Sequence, residues 1–235
     1  MARGGRAKHA PLPPPLPPET RTVGQVVAET INLYRRNFWP SLALGLGPAA
    51  ATVGVTLIGG WWSLVFVLTA FSLLMTASYV GAIAIAAEEP SDRRSILVAA
   101  AVGYVVFLPA PFLYGLFVLP AVAWLALVGL AAPAAFVERL GYRAAIRRGL
   151  ALARADYVHA AGSLATLVIV AFLTSTVLFF LLRGASQVER AAAAFLSLLV
   201  ISPILFLGAA LLYYDQAARV RTRRERCRRT SCCRP

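Results

Sequence analysis

The sequence predicts an all-α polytopic membrane protein, with six transmembrane helices in three hairpins and amphipathic helices lying along the inner face. Three observations predict it. The first is composition. Of 235 residues, 59% are hydrophobic and 14% are charged, where a soluble domain carries about 25% charged residues; the mean hydropathy is +0.71. The second is clustering. Residues 42–87, 95–137, 158–182 and 191–214 contain no Asp, Glu, Lys or Arg. A helix needs about 20 apolar residues to cross a hydrocarbon core about 30 Å thick. The first two runs therefore hold two crossings each and the last two one each. The apolar residues are continuous instead of alternating, so the spans are helices, one of the two structures that pair every backbone group inside lipid.

The third observation is the sorting of charge. The net charge is +13, which on a soluble protein would point to nucleic acid. In a membrane protein the excess Lys and Arg belongs to the cytoplasmic segments. With six spans and the N-terminus inside, 21 of the 23 cations fall on that side. Only Arg183 and Arg190 fall outside. The expected location is a bacterial inner membrane with both termini cytoplasmic. The preference for Arg over Lys suits a high-GC bacterium.

Residues 1–20 form a basic, proline-rich arm. No apolar stretch follows its charges, so it does not read as a signal peptide, and PLPPPLPP favours extended polyproline II. Residues 21–218 form the membrane domain. Within it, 22–38 is an amphipathic helix opened by a capping box of Thr22 and Gln25. Val23, Val26, Val27, Ile31, Leu33, Tyr34 and Phe38 share its apolar side. Such a helix either lies in the interface or packs on the bundle. Phe38, Trp39 and Pro40 lead into span 1, at 40–58. Gly59 and Gly60 turn the chain on the outer side, beside the interfacial pair Trp61 and Trp62.

Span 2 covers 61–87, with Ala77 and Gly81 as a small-residue face. Glu88, Glu89 and Pro90 end it, and Ser91 with Asp92 can cap the next helix. Spans 3 and 4 cover 91–108 and 112–137. Their turn is expected at Pro109 to Pro111, because proline disfavours helix in the residue before it; Tyr114 and Gly115 are the alternative. Pro120 is expected to kink span 4. Residues 139–157 form a surface helix on which Arg139, Arg143, Arg147 and Arg154 share an arc of about 80° at helical spacing. Ala144, Ala145, Ala151, Leu152 and Ala155 oppose them, with Arg148 among them. Arg148 should therefore turn towards the bundle and meet Glu138 or Asp215, since a buried cation needs a partner.

Spans 5 and 6 cover 158–182 and 191–214, joined by an outer loop at 183–190; Pro203 lies inside span 6. Thr174, Ser175 and Thr176 either line a path or bond back to their own helix. The tail, 219–235, is basic and expected to be disordered. It serves as an anionic-lipid anchor or as a topology signal. A weak repeat relates LYRRNFWPSL (33–42) to LARADYVHAA (152–161): basic residues, then Asn37 or Asp156, an aromatic, and a span.

The chemistry expected of an enzyme is not evident. No span carries an acid or base at mid-membrane, where coupled carriers and proton relays place them. His159 sits at the inner edge. No Walker loop, HExxH or nucleophile with a nearby base occurs. Cys227, Cys232 and Cys233 lack the paired spacing of a zinc site and face a reducing compartment. No metal or cofactor is expected. Glu138, Arg147, Arg148 and Asp215 could handle a phosphate, but read better as ion pairs holding the surface helix to span ends.

PAAFVERLGYRAAIRRGLAL (133–152), a span, and LLYYDQAARVR (211–221) resemble the six-helix membrane domain associated with glycerophosphodiester phosphodiesterases, which also occurs alone in bacterial membrane proteins. The resemblance covers mainly 120–221. It implies that Glu138, Arg147, Arg148, Tyr214, Asp215 and Arg219 are recurrent inner-face positions. Gly149 stands where a serine is usual. The phosphodiesterase barrel is absent from these residues, so its activity does not carry over. The expected function is a non-enzymatic module that organises anionic lipid or a membrane-protein partner, with no nucleic acid. A permease for a neutral or amphiphilic solute is the alternative.

Overall fold

The computed structural model describes residues 22–87, 92–184 and 186–231, with residues 179, 187 and 223–231 by backbone only. The proline-rich arm, the 88–90 stop, Ser91 and the tail cysteines 232 and 233 lie outside these residues, as does the side chain of Cys227. The described residues form helices and connecting turns: α1 (Val23–Arg36), α2 (Phe38–Leu44), α3 (Leu46–Leu57), α4 (Trp61–Phe66), a π-helical turn (Val67–Phe71), α5 (Ser72–Ala87), α6 (Arg93–Phe107), α7 (Ala110–Leu116), α8 (Val118–Val128), α9 (Ala131–Val137), α10 (Tyr142–Ala155), α11 (Tyr157–Leu181) and α12 (Gln187–Ser231). Six stretches are long and apolar enough to cross a membrane: Phe38–Leu57, Trp61–Ala87, Arg93–Leu116, Val118–Val137, Tyr157–Leu178 and Val188–Thr222. The all-α polytopic fold is as the sequence predicts.

Span 6 is the axis. It touches α11, α5, α3, α2, α1 and α10. One core gathers Tyr79, Phe107 and Phe206, with ring centroids 5.7–6.1 Å apart; Phe107 meets the other two edge-on, and Tyr79 and Phe206 are tilted to each other. A second lies between α8, α9, α10, α11 and α12 around Leu130, Leu152 and Leu212. The first helix packs on the bundle, against α11 and α12, which decides between its two expected placements. Val26, Thr30, Leu33 and Tyr34 are its buried positions, while Ile31 and Phe38 turn outward. Burial pushes the Tyr34 phenol above its usual pKa. Thr22 N–H donates to Gln25 Oε1 at 2.9 Å, as a capping box requires.

Several spans are broken where the sequence reading has them whole. Span 1 is interrupted at Gly45, where a Cβ would collide with the Leu199 carbonyl of span 6. Span 2 holds the π-helical turn, whose freed carbonyls find hydroxyls: Tyr104 donates to Leu68 O at 2.7 Å and Ser72 to Val67 O at 3.1 Å. Gly81 packs closely on Leu44, but Ala77 is exposed, so only half of the expected small-residue face is used. The turn between spans 3 and 4 falls at Phe117, in extended conformation (φ −166°, ψ 154°), not at Pro109 to Pro111 or Tyr114. Pro109 and Pro111 sit instead at the start of α7, where a missing N–H costs nothing. Pro120 likewise lies in the first turn of α8 and makes no mid-helix break. Span 4 breaks at Gly129 and Leu130 instead. There Tyr79 donates to Gly129 O at 3.0 Å.

The expected repeat has a structural counterpart. Asn37 (φ −116°, ψ 46°) ends α1 and begins α2; Asp156 (φ −150°, ψ 67°) ends α10 and begins α11. In both places an amphipathic helix stops for one residue and a span starts. The surface helix is shorter than its expected 139–157. The expected disordered tail is also overturned, because α12 continues as helix through Ser231. Arg is a good helix former, and a helix already nucleated by a span extends at little cost.

Candidate functional site

The polar groups at the arginine-rich end of the bundle fall into two clusters and a stripe. The first cluster closes the end of span 4. Residues 131–136 are all buried, and α10 lies across them backbone to backbone. A Cβ at Gly149 would sit 2.6 Å from the Ala131 Cα. That contact explains the glycine at 149. With α10 seated, Arg148 reaches back to Glu138: Nε lies 2.8 Å from Oε1 and 3.0 Å from Oε2. Tyr213 of span 6 donates its hydroxyl to the same Oε1 at 2.9 Å. One carboxylate thus joins spans 4 and 6 and the surface helix. Arg148 turns to the bundle, as helical spacing predicts, and of its two expected partners, Glu138 and Asp215, it meets Glu138. The tyrosine that completes the contact is Tyr213. Tyr214, named among the inner-face candidates, stacks edge-on to it at 5.4 Å.

The second cluster joins spans 5 and 6. Asp215 is 1% exposed. Its Oδ2 accepts from Arg219 Nε at 2.9 Å and lies 3.0 Å from His159 Nε2. Arg219 NH1 reaches Asp156 Oδ2 at 3.3 Å, and NH2 lies 3.1 Å from His159 Nε2. That ring nitrogen faces a donor and an acceptor together. With its proton on Nδ1 it accepts from Arg219, and with the proton on Nε2 it donates to Asp215. Asp215 Oδ1 and Gln216 Oε1 have no hydrogen-bond partner among the described residues. Gln216 Nε2 donates to Asp156 O at 3.5 Å. The guanidinium of Arg219 stands between two carboxylates, those of Asp215 and Asp156. No set of three metal-ligating side chains converges among the described residues.

The stripe comprises Arg143, Arg147 and Arg154, all exposed on the outward side of α10. Arg147 Nε donates to Arg143 O at 3.4 Å. None of the three has an acidic partner among the described residues. Two expectations are corrected here. Ala151 is exposed beside the stripe, being only about 80° from Arg143 at 100° per residue. Arg139 does not belong to the stripe: α10 begins at Tyr142, and Arg139 occupies the preceding turn with φ 52°. A left-handed residue just past a helix end is usually glycine, and an L side chain there costs roughly 1–2 kcal/mol.

No family model, curated protein or solved structure matches this chain. The geometry therefore carries the functional reading. Glu138, Arg147, Arg148 and Asp215, which could together have handled a phosphate, are separated into three different settings: the span 4 contact, the span 5–6 contact and the outer stripe. Sequence reasoning missed Tyr213, Asp156, Gln216 and the central part of His159. Their signal was present only as polar residues flanking span ends.

Proposed function

We propose that this protein is a non-enzymatic module of a bacterial inner membrane, with its basic face in the cytoplasm, that gathers anionic lipid or a membrane-protein partner there. The observation that carries this reading is the stripe of Arg143, Arg147 and Arg154: three exposed cations without acidic partners among the described residues, on a helix fixed to the bundle by Gly149 and the Arg148–Glu138 pair. Cations near an anionic surface contribute about 1 kcal/mol each. Acids and bases at mid-membrane would favour a carrier, whereas the paired acids of this chain sit at its inner face. The resemblance to the phosphodiesterase-associated membrane domain supports the same reading, carrying over the architecture and no hydrolysis. The sorting of 21 of 23 cations to one side of the six spans supports the cytoplasmic orientation.

Replacing Arg143, Arg147 and Arg154 with Gln should weaken binding of the detergent-purified protein to anionic liposomes by on the order of a hundredfold, with unchanged thermal stability. Unchanged binding would overturn the reading. A permease for an amphiphilic solute is the second reading, because broken helices often mark transport sites. The break at Gly129 borders a cavity of about 130 Å³ between Tyr79, Phe107, Leu164 and Phe206. That cavity is lined almost wholly by apolar groups, and its hydroxyl, from Tyr79, is already bonded to Gly129 O. These features favour the organising module.

A further inference from the structure

Two hollows adjoin at the inner end of span 3. One is a polar cup of about 270 Å³, lined chiefly by Asp92, Arg94 and Ser95 at the start of α6 and by Arg139 and Gly141 in the turn before α10. The other is an apolar groove of about 720 Å³ between spans 2 and 3, passing Val80, Ala100 and Tyr104 and ending at Tyr142. Gly141 of the cup and Tyr142 of the groove are consecutive, as are Ser95 and Ile96. Neither Arg94 nor Arg139 has an acidic partner among the described residues. Asp92 holds the N-cap position of α6, yet its carboxylate does not turn back to cap the helix. Arg139 is the non-glycine residue held at positive φ, and strain of that kind collects where a side chain is needed in a particular place. The cup thus offers two guanidinium groups and one carboxylate that have no ion-pair partner among the described residues, beside an apolar groove.

We propose that cup and groove together hold one glycerophospholipid with a zwitterionic, primary-amine headgroup. Its phosphate meets Arg94 and Arg139, its ammonium meets Asp92, and an acyl chain lies in the groove. The charge pattern of the cup mirrors that headgroup, which a purely anionic one does not match at Asp92. The site extends the lipid-facing reading to a second place and stands or falls apart from the α10 stripe. The test is native mass spectrometry of the full chain released from nanodiscs holding equal phosphatidylethanolamine, phosphatidylcholine and phosphatidylglycerol. One phosphatidylethanolamine should be retained per chain, at least tenfold over phosphatidylcholine, whose quaternary amine cannot donate to Asp92. Arg94→Gln with Arg139→Gly should reduce that retention at least tenfold. Glycine suits the Arg139 backbone, so the second change relieves the turn. Asp92→Asn, which preserves a good N-cap, should remove the preference for the amine and leave phosphatidylglycerol retention equal or higher. Replacing the three stripe arginines should change none of this. Equal retention of all three lipids (annular lipid only), retention indifferent to the Arg94 and Arg139 changes, or a preference for phosphatidylglycerol would each overturn the proposal.

Discussion

At the inner end of span 4, Ala131, Ala132, Ala134 and Ala135 are fully buried, and a surface helix touches their backbone. At the outer end, Leu116, Phe117, Leu119, Leu181 and Val188 are 71–79% exposed. In water the second arrangement would fail. In lipid it costs little, because acyl chains are as apolar as leucine, and helix association depends on close packing and hydrogen bonds instead. The inner half has both; the outer half is solvated by the bilayer. Hydroxyls divide by reach instead of by end: threonines bond their own helix, and tyrosines, Tyr104 to Leu68 O included, bond across helices. Thr174 and Thr176, towards the outer end of span 5, bond only to their own helix, at Val170 O and Phe172 O. Tyr79 and Tyr213 bond across helices.

Substitutions can break or sharpen this contrast, and unfolding in detergent would measure them. Asp215→Ala strands Arg219 beside a buried site and should cost about 3–5 kcal/mol; a loss under 1 kcal/mol would mean that the span 5–6 contact holds nothing. Gly149→Ala forces α10 off span 4 and should cost about 1–3 kcal/mol. Gly162→Ala, where a Cβ meets nothing within 4 Å, should instead be neutral or gain up to about 1 kcal/mol. Tyr213→Phe removes one hydrogen bond to a charged acceptor and should cost about 1.5–3 kcal/mol. At the outer end, Leu181→Ala should stay within about 0.5 kcal/mol.

The six crossings are legible because lipid imposes length and charge exclusion on every span, and no later packing can hide either. The inward turn of Arg148 is legible because one helix's spacing separates it from the other arginines; the choice of Glu138 over Asp215 is not, because it depends on how span ends are placed. The rest depends on how helices rotate against one another. One residue of rotation decides between Tyr213 and Tyr214. The contact of Asp156, His159 and Arg219 joins residues about sixty positions apart, which no local pattern encodes. The breaks at Gly45 and Gly129 and the π-helical turn are set by what lies opposite. Arg139 was assigned to a helix because its spacing fits one; the turn after α9 claims it first.

The 45-residue α12 is about 68 Å long at 1.5 Å per residue, more than twice the thickness of the hydrocarbon core. It makes a shaft with a handle. Arg219 lies within the same uninterrupted helix as the projecting turns up to Ser231, and Pro203, its weakest rung, lies on the far side of Asp215. No proline or break separates Ser231 from the Asp215 junction, so the two share one rigid element.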